Sequence, residues 1–354
     1  MLTLYVDGPR WRAHLRTVAD AHPGIVPVAK GNGYGFGLAR LARKSGWLGV
    51  DTLAVGTYAE VTEVASRFDG SILVLTPWRP FEDGRDLAPD VARRLVHTVG
   101  RVEDLEALAA REDRPRVVLE RLTSMLRHGF TARGLREAAA LLAPGGAAHD
   151  RVRLEGVAFH LPMTQGSHLA EVERLMTDVV AAGLPTSRVF VSHLTDGELA
   201  TLRTAYADFE FRPRIGTGLW LGDRGALRTR ATVLDVHPVE RGDVFGYRGR
   251  TAPKAGTVLV VSGGTAHGIG LEAPTGGATL KDRASRIAKG GLDAAGFVRS
   301  PYTIDGKQRL FAEPPHMQAS MLFVPAGARI PLVGDELDVR VRYTTTTFDC
   351  VDVT

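Results

Sequence analysis

The stretch 24-GIVPVAKGNGYGFG-37 decides how the chain is read. Its first six residues are mostly apolar and β-branched, a run of the length of a buried strand rather than of a helix. Lys30 stands at the end of that run and opens a loop with glycines at 31, 33, 35 and 37. Those glycines let the backbone turn closely around whatever the lysine holds, a freedom that a surface lysine does not need. Lysine is also scarce, with six in 354 residues, at 30, 44, 254, 281, 289 and 307. Placed against Val26 and Val28, the Lys30 ammonium loses hydration and its pKa falls, which favours an amine nucleophile able to form a Schiff base.

Seven more runs of this kind follow up to Ile215: DTLAV (51–55), SILVLT (71–76), RLVHTV (94–99), PRVVLE (115–120), LEGVAFH (154–160), RVFVSH (188–193) and FEFRPRI (209–215). Segments of helical period separate them. In one, Leu169, Val172, Leu175, Met176, Val179 and Val180 share a face at spacings of three and four, which should cover the sheet. Thr57-x-x-Glu60 and Thr195-x-x-Glu198 are capping boxes, so Glu60 and Glu198 are read as structural. Strand and helix in alternation define an α/β protein, and eight such units define a closed (β/α)8 TIM-type barrel, with a six-stranded doubly wound sheet as the rival. After about residue 225 the helical period ends. TVLDVHPV, VFGYRG, TVLVVSGG, MLFVP and LDVRVRY read as antiparallel strands between Gly and Pro turns. The expected division is a barrel over 1–225 and a mainly antiparallel β domain over 226–354, with a Gly- and Ala-rich insertion at about 268–300 read as a loop with one short helix.

Composition narrows the classes. With 44% hydrophobic and 24% charged residues the chain is globular, neither disordered nor fibrous. It has no apolar stretch of membrane-helix length, and MLTLYVDGPRWRAHL lacks the order of a signal peptide, so a soluble cytoplasmic protein is expected. The single cysteine, Cys350, excludes an internal disulfide and a thiolate-rich zinc site, and is expected as a buried thiol. No metal is expected either, because His316 and Cys350 match no ligand spacing. Net charge is +4, and the basic residues are spread along the chain without the stripe of a nucleic-acid binder.

Reacting groups of such barrels stand at the C-terminal strand ends. Glu120 ends the fifth run and leads to Met125 and Arg127, an arginine suited to a carboxylate or a phenolic oxygen, or to a surface ion pair. His160 ends the sixth, where it either stacks on a planar ring or is simply hydrogen-bonded. His193 ends the seventh and precedes the capped helix at Thr195, read as a free N-terminus suited to an anion. Arg214 in the eighth is followed by Ile-Gly-Thr-Gly, where Gly216 and Gly218 permit amides to cradle a phosphate. Lysine, arginine, histidine and a phosphate cradle together describe a site for pyridoxal 5'-phosphate.

VAKGNGYGFG resembles the pyridoxal-lysine motif of the alanine racemase family, fold-type III pyridoxal-phosphate enzymes that usually read V-V-K-A-N-A-Y-G-H-G. SMLRHGF, LEGVAFH, RPRIGTGLWLG, VFGYRG and IDGKQRLFAEPPHMQASM resemble further segments in the family's order. The resemblance implies an amino-acid racemase in which Lys30 forms the Schiff base and acts as base on one face of the substrate. It implies Tyr34 and the amides of Gly216 and Thr217 at the phosphate, Arg127 at the phenolate and substrate carboxylate, Met317 at the substrate, His160 against the ring, and Arg214 on the pyridine nitrogen. It also implies a homodimer, because the family's second acid/base is a tyrosine from the partner subunit.

That tyrosine lies in G-Y-A-D-G, and the corresponding segment here is Gly264-Thr265-Ala266-His267-Gly268. Threonine has no accessible pKa near neutrality, so another group is needed, His267 first and Tyr302 second. Phe348 stands for a phosphate-binding tyrosine, Asp196-Gly197 for the family's N-S, and Glu120 for a lysine that is often carbamylated. Three readings stay open at this level: a racemase of alanine or another amino acid, a non-racemising Cα enzyme acting by elimination or dehydration, and a non-catalytic descendant that binds the cofactor or another ligand.

Overall fold

The computed structural model describes residues 1–81, 86–163, 166–271 and 298–354. The chain divides into two units, Arg12–Gly222 and a second made of Met1–Trp11 with Asp223–Thr354. A leading strand, β1 (Leu2–Val6), is followed by the eight strands read from the sequence: β2 (Val26–Pro27), β3 (Thr52–Val55), β4 (Ser71–Val74), β5 (Leu95–Val99), β6 (Arg116–Arg121), β7 (Arg153–Phe159), β8 (Arg188–Val191) and β9 (Glu210–Ile215).

β2 to β9 pair in parallel in the order β2-β9-β8-β7-β6-β5-β4-β3. A parallel bridge between Val28 and Ala54 and the 2.8 Å bond from the Ala29 amide to the Ala54 carbonyl bring the two ends of that order together. This is a (β/α)8 barrel, and the sequential order with closure removes the doubly wound alternative. β2 is the shortest of the eight barrel strands, and its Pro27 has no N–H to give to a ladder. Val26, Val28, Ala54, Leu73, Val96, Val118, Ala158 and Phe190 form a buried apolar cluster inside the barrel. Outside, the helix Leu169–Ala182 buries Val172, Leu175, Met176 and Val179. Val180 departs from the expected face and is exposed. At about 100° per residue it sits roughly 80° round the helix from Val172, at the edge of the apolar stripe.

The second unit is built on β10 (Leu227–Val239), followed by β11 (Val244–Phe245), β12 (Arg250–Thr251), β13 (Gly256–Ser262), β14 (Arg299–Ile304), β15 (Lys307–Phe311), β16 (Ala319–Pro325), β17 (Glu336–Val339) and β18 (Cys350–Val353). The strands β13-β16-β15-β14-β17-β10 close into an antiparallel barrel because the far half of β10 also pairs with β13. Residues 1–11, expected in the first domain, belong here: β1 runs antiparallel to β10 and parallel to β18. Leu2 and Leu4 are fully buried. Cys350 is half-buried rather than buried, since it lies on the parallel strand that follows β1 at the end of the sheet order. Residues 272–297, most of the insertion and the place of its expected helix, lie outside the described residues. Among the described residues no helix is long and apolar enough to cross a membrane.

Candidate active site

Parity along the strands builds the site. Side chains alternate between the two faces of a strand, so a residue two positions beyond an interior residue faces the same way, one layer nearer the C-terminal end. Val28, Val118 and Ala158 belong to the interior cluster, and two positions on stand Lys30, Glu120 and His160. Phe190 leads in the same way to Ser192, and Arg212, whose guanidinium lies 5.6 Å from the Phe190 ring centre, leads to Arg214. The apolar layer is therefore a floor for a charged one.

The cations and histidines of this layer act on one another. Partial burial pushes the Lys30 ammonium below the usual lysine range, Arg127 and Arg214 push it further, and Glu60 opposes them. Burial and then Arg214, Arg127, His193 and Lys30 push His160 down to about 3, so its ring is neutral at pH 7. Its Nδ1 lies 3.0 Å from the Ser192 hydroxyl, and its ring meets that of His193 edge-on at 5.4 Å. Burial likewise lowers the His193 pKa, helped chiefly by Arg214. The buried Glu120 carboxyl is raised by desolvation, with Arg214 and Arg127 opposing. Lys30, Arg127 and Arg214 stand against the Glu60 carboxylate and a second carboxyl, Glu120, whose ionisation is disfavoured, which leaves the mouth net positive and suited to an anion.

Arg214 carries particular information. It is 6% exposed, it reaches two strands across the barrel to donate an Nη to the Phe159 carbonyl at 2.9 Å, and its buried Nε has no partner among the described residues. A buried guanidinium N–H without an acceptor is costly, so a group that supplies an acceptor here gains what the empty direction loses. Tyr34 and Gly216 give the second sign of fit. Tyr34 is buried, and a Cβ added to Gly216 would collide with its hydroxyl, so the phenol rests directly on the glycine backbone. That hydroxyl is pushed up to about 12 by burial and then by Glu60, so it stays protonated and can donate. Gly216 caps the helix Thr217–Leu221, which Trp220 ties to the first barrel strand through its 2.8 Å bond to the Val28 carbonyl.

The loops are strained where they carry these groups. Gly31, Gly33, Gly35 and Gly37 all have positive φ, as expected, and Tyr34, Leu126 and His193 adopt φ of 55°, 53° and 60° without being glycine. Such conformations cost of order 1–3 kcal/mol each and collect at functional sites. Arg127 and Lys30 are exposed at the mouth.

One reading is corrected and one is extended. The helix Asp196–Ala205 does not offer a free N-terminus: the Glu198 carboxylate accepts from the Thr195 amide and hydroxyl at 2.8 and 2.9 Å and from the Ser167 hydroxyl and His168 amide. The same capping box that marks the helix start therefore fills the anion position. Glu60 does close its capping box with Thr57. Its carboxylate also accepts from the Gly31 amide at 2.7 Å and the Gly56 amide at 2.6 Å, a contact with the lysine loop that no local pattern announces. Ser192 was also missed, although it is the residue two beyond Phe190.

Thr265, His267 and Met317 form a separate group in the β unit. Thr265–His267 is a single turn whose amides bond the His316 and Met317 carbonyls, at 2.8 Å from Thr265 and 3.0 Å from Ala266. Both nitrogens of the buried His267 ring are engaged: Nδ1 accepts from the Gly264 amide at 3.2 Å, and Nε2 therefore donates to Asp349 at 3.0 Å. Tyr302 is fully buried, its hydroxyl 2.9 and 2.8 Å from the Ser262 and Gly263 carbonyls. Met317 is exposed.

Residues 6–217 match the family described as "Alanine racemase, N-terminal domain". The alanine racemase of Nitratidesulfovibrio vulgaris strain Miyazaki F is 29% identical over 280 residues, covering 72% of each chain. Among solved structures, the alanine racemase of Bacillus anthracis with bound L-Ala-P superposes with a TM-score of 0.70 at 18% identity, covering 98% of this chain and 90% of that one. That of Bartonella henselae, with covalently bound pyridoxal phosphate, gives 0.66 at 16%, covering 97% and 91%.

Proposed function

Because the chain belongs to the alanine racemase family, we propose that it is a pyridoxal-phosphate-dependent isomerase of amino acids, with Lys30 as the amine that holds the cofactor and moves the Cα proton. The observation that carries this reading is the buried Arg214, whose Nε has no partner among the described residues, beside the pKa-lowered Lys30. The residues present fit the cofactor. Arg214 would offer an N–H to the ring nitrogen and, as a cation, would disfavour protonation there, which suits racemisation better than decarboxylation. Tyr34 and the amides of Gly216 and Thr217 would take the phosphate, His160 the ring face, and Arg127 the substrate carboxylate, with Met317 at the substrate. When bound, pyridoxal phosphate supplies an electron sink that makes a Cα proton removable. Lys30 accepts that proton at Nζ, and its lowered pKa puts more of the amine in the basic form at neutral pH.

Inversion needs a second proton carrier on the opposite face. Thr265 stands where the family has tyrosine, and both other candidates are satisfied internally, His267 by Gly264 and Asp349, Tyr302 by two carbonyls. These bonds favour a second reading, proton exchange at Cα by Lys30 without inversion. The homodimer and an alanine-sized substrate are carried over from the family as parts of the proposal.

The test is incubation with pyridoxal phosphate and each L- and D-amino acid in deuterium oxide, with NMR of the α-proton and chiral analysis of the product. Exchange with inversion establishes a racemase, and exchange without inversion establishes one-base chemistry. A visible cofactor band with no exchange leaves a binding protein. Full activity in Lys30→Ala overturns the assignment of the lysine.

A further inference from the structure

Glu60 does more than cap a helix. One carboxylate oxygen accepts from the Gly31 amide at 2.7 Å, and the other accepts from the Gly56 and Thr57 amides at 2.6 and 3.3 Å. The first amide belongs to the loop after β2 and the others to the loop after β3, so one side chain joins two adjacent strand ends. Gly56 is squeezed between the partners: a Cβ there would lie 3.1 Å from a Glu60 carboxylate oxygen and 3.1 Å from the Lys30 Cβ. A side chain there would need the lysine or the carboxylate to give by a few tenths of an ångström. Charge-assisted bonds from amides to a carboxylate are about twice as strong as neutral ones, and three on one group fix its position.

We propose that Glu60 is a positioning residue for Lys30, a clamp that holds the peptide following the lysine against the next strand end and keeps a negative charge beside the ammonium. This rests on the assignment of Lys30 as the reacting amine. The groups that face Lys30 from the packed elements are Arg127 in the loop after β6, His160 after β7, His193 after β8, Arg214 on β9, and Glu60. Glu60 is the anion in that set, and it opposes the lowering of the amine's pKa by burial, Arg127 and Arg214. The clamp lets the site hold a lysine near several arginines while its backbone stays in one place.

The experiment is carried out on the full chain without added cofactor. Lys30 is pulse-labelled with acetic anhydride across a pH series, its modified fraction is read by mass spectrometry, and exchange of the Gly31 amide is followed in 15N-glycine protein. Glu60→Gln should lower the apparent pKa of Lys30 by about one unit, which is about a tenfold rise in labelling rate below the pKa, and should speed Gly31 exchange. Thr57→Ala removes the capping hydroxyl and leaves the carboxylate; it should cost stability and leave the labelling profile in place. A Glu60→Gln profile that moves no further than that of Thr57→Ala overturns the proposal. Should Glu60→Gln not fold, Glu60→Asp takes its place: with the charge kept and the reach shortened, Gly31 exchange should rise about tenfold while the labelling pKa stays near wild type, and unchanged Gly31 exchange overturns the clamp. A separate absorbance titration of wild type with pyridoxal phosphate tests the function. Failure to form a visible band there sinks the cofactor reading and leaves the labelling result intact.

Discussion

Gly216→Ala tests the contact on which the phosphate end of the site depends. The added Cβ would collide with the Tyr34 hydroxyl, lie 2.9 Å from Cζ of that ring and touch Val28 at 3.5 Å. Tyr34 cannot easily yield, because it is buried and its backbone already sits at φ 55°. Overpacking of this kind costs about 1–3 kcal/mol. For a unit of this size that is a fall of roughly 2–10 °C in melting temperature. The same displacement moves the phenol off the glycine backbone, so the affinity for pyridoxal phosphate should drop about tenfold to a hundredfold, the loss of one hydrogen bond to a charged group. Thermal unfolding and an absorbance titration measure the two effects. Tyr34→Phe deletes the atom that collides first, so the stability cost of Gly216→Ala should be smaller in that background, with a coupling of about 0.5–2 kcal/mol. Equal costs of Gly216→Ala in the wild-type and Tyr34→Phe backgrounds would refute the contact.

The Glu198 carboxyl is held down to about 2 by its bonds to the Thr195 and His168 amides and the Thr195 and Ser167 hydroxyls, against desolvation that acts first and in the opposite direction. A depressed carboxyl stabilises above its unfolded pKa and loses that stabilisation as pH falls toward the folded value. Glu198→Gln should therefore cost about 2 kcal/mol at pH 7, and urea curves of the two proteins should converge between about pH 4.5 and 2. Tyr302→Phe leaves the Ser262 and Gly263 carbonyls with one donor fewer and should cost about 1–3 kcal/mol by urea unfolding. It should leave Cα exchange unchanged, and loss of exchange in a folded Tyr302→Phe protein would restore that tyrosine as an acid/base candidate. Asp349→Ala removes the acceptor of His267 and of the Leu2 amide and should loosen the Thr265–His267 turn, seen as faster exchange of the Thr265 and Ala266 amides.

The barrel was legible because each βα unit announces itself locally. Apolar β-branched runs, glycine loops and capping boxes act over a few residues, and the two weakest runs, RLVHTV and FEFRPRI, still form β5 and β9. Thr195-x-x-Glu198 by itself places the helix's own carboxylate at its start, whereas the reach of Glu60 over 29 residues to Gly31 is outside any local pattern. His267 was a plausible acid/base on its own, and Asp349, which occupies its Nε2, lies 82 residues away.

The sequence by itself determined the class of fold, the lysine at the first barrel strand's end, the glycines that shape its loop, and the family to which these belong. Those are consequences of short-range periodicity and of residue types whose backbone or chemical properties are rare. Only the tertiary structure decided which groups act on Lys30, that Arg214 is buried with an Nε unpartnered among the described residues, that β1 serves the β unit, and that His267 and Tyr302 are spoken for. Each of these depends on desolvation and on contacts between segments far apart in the chain, and both arise when the barrels close, which no local window of residues contains.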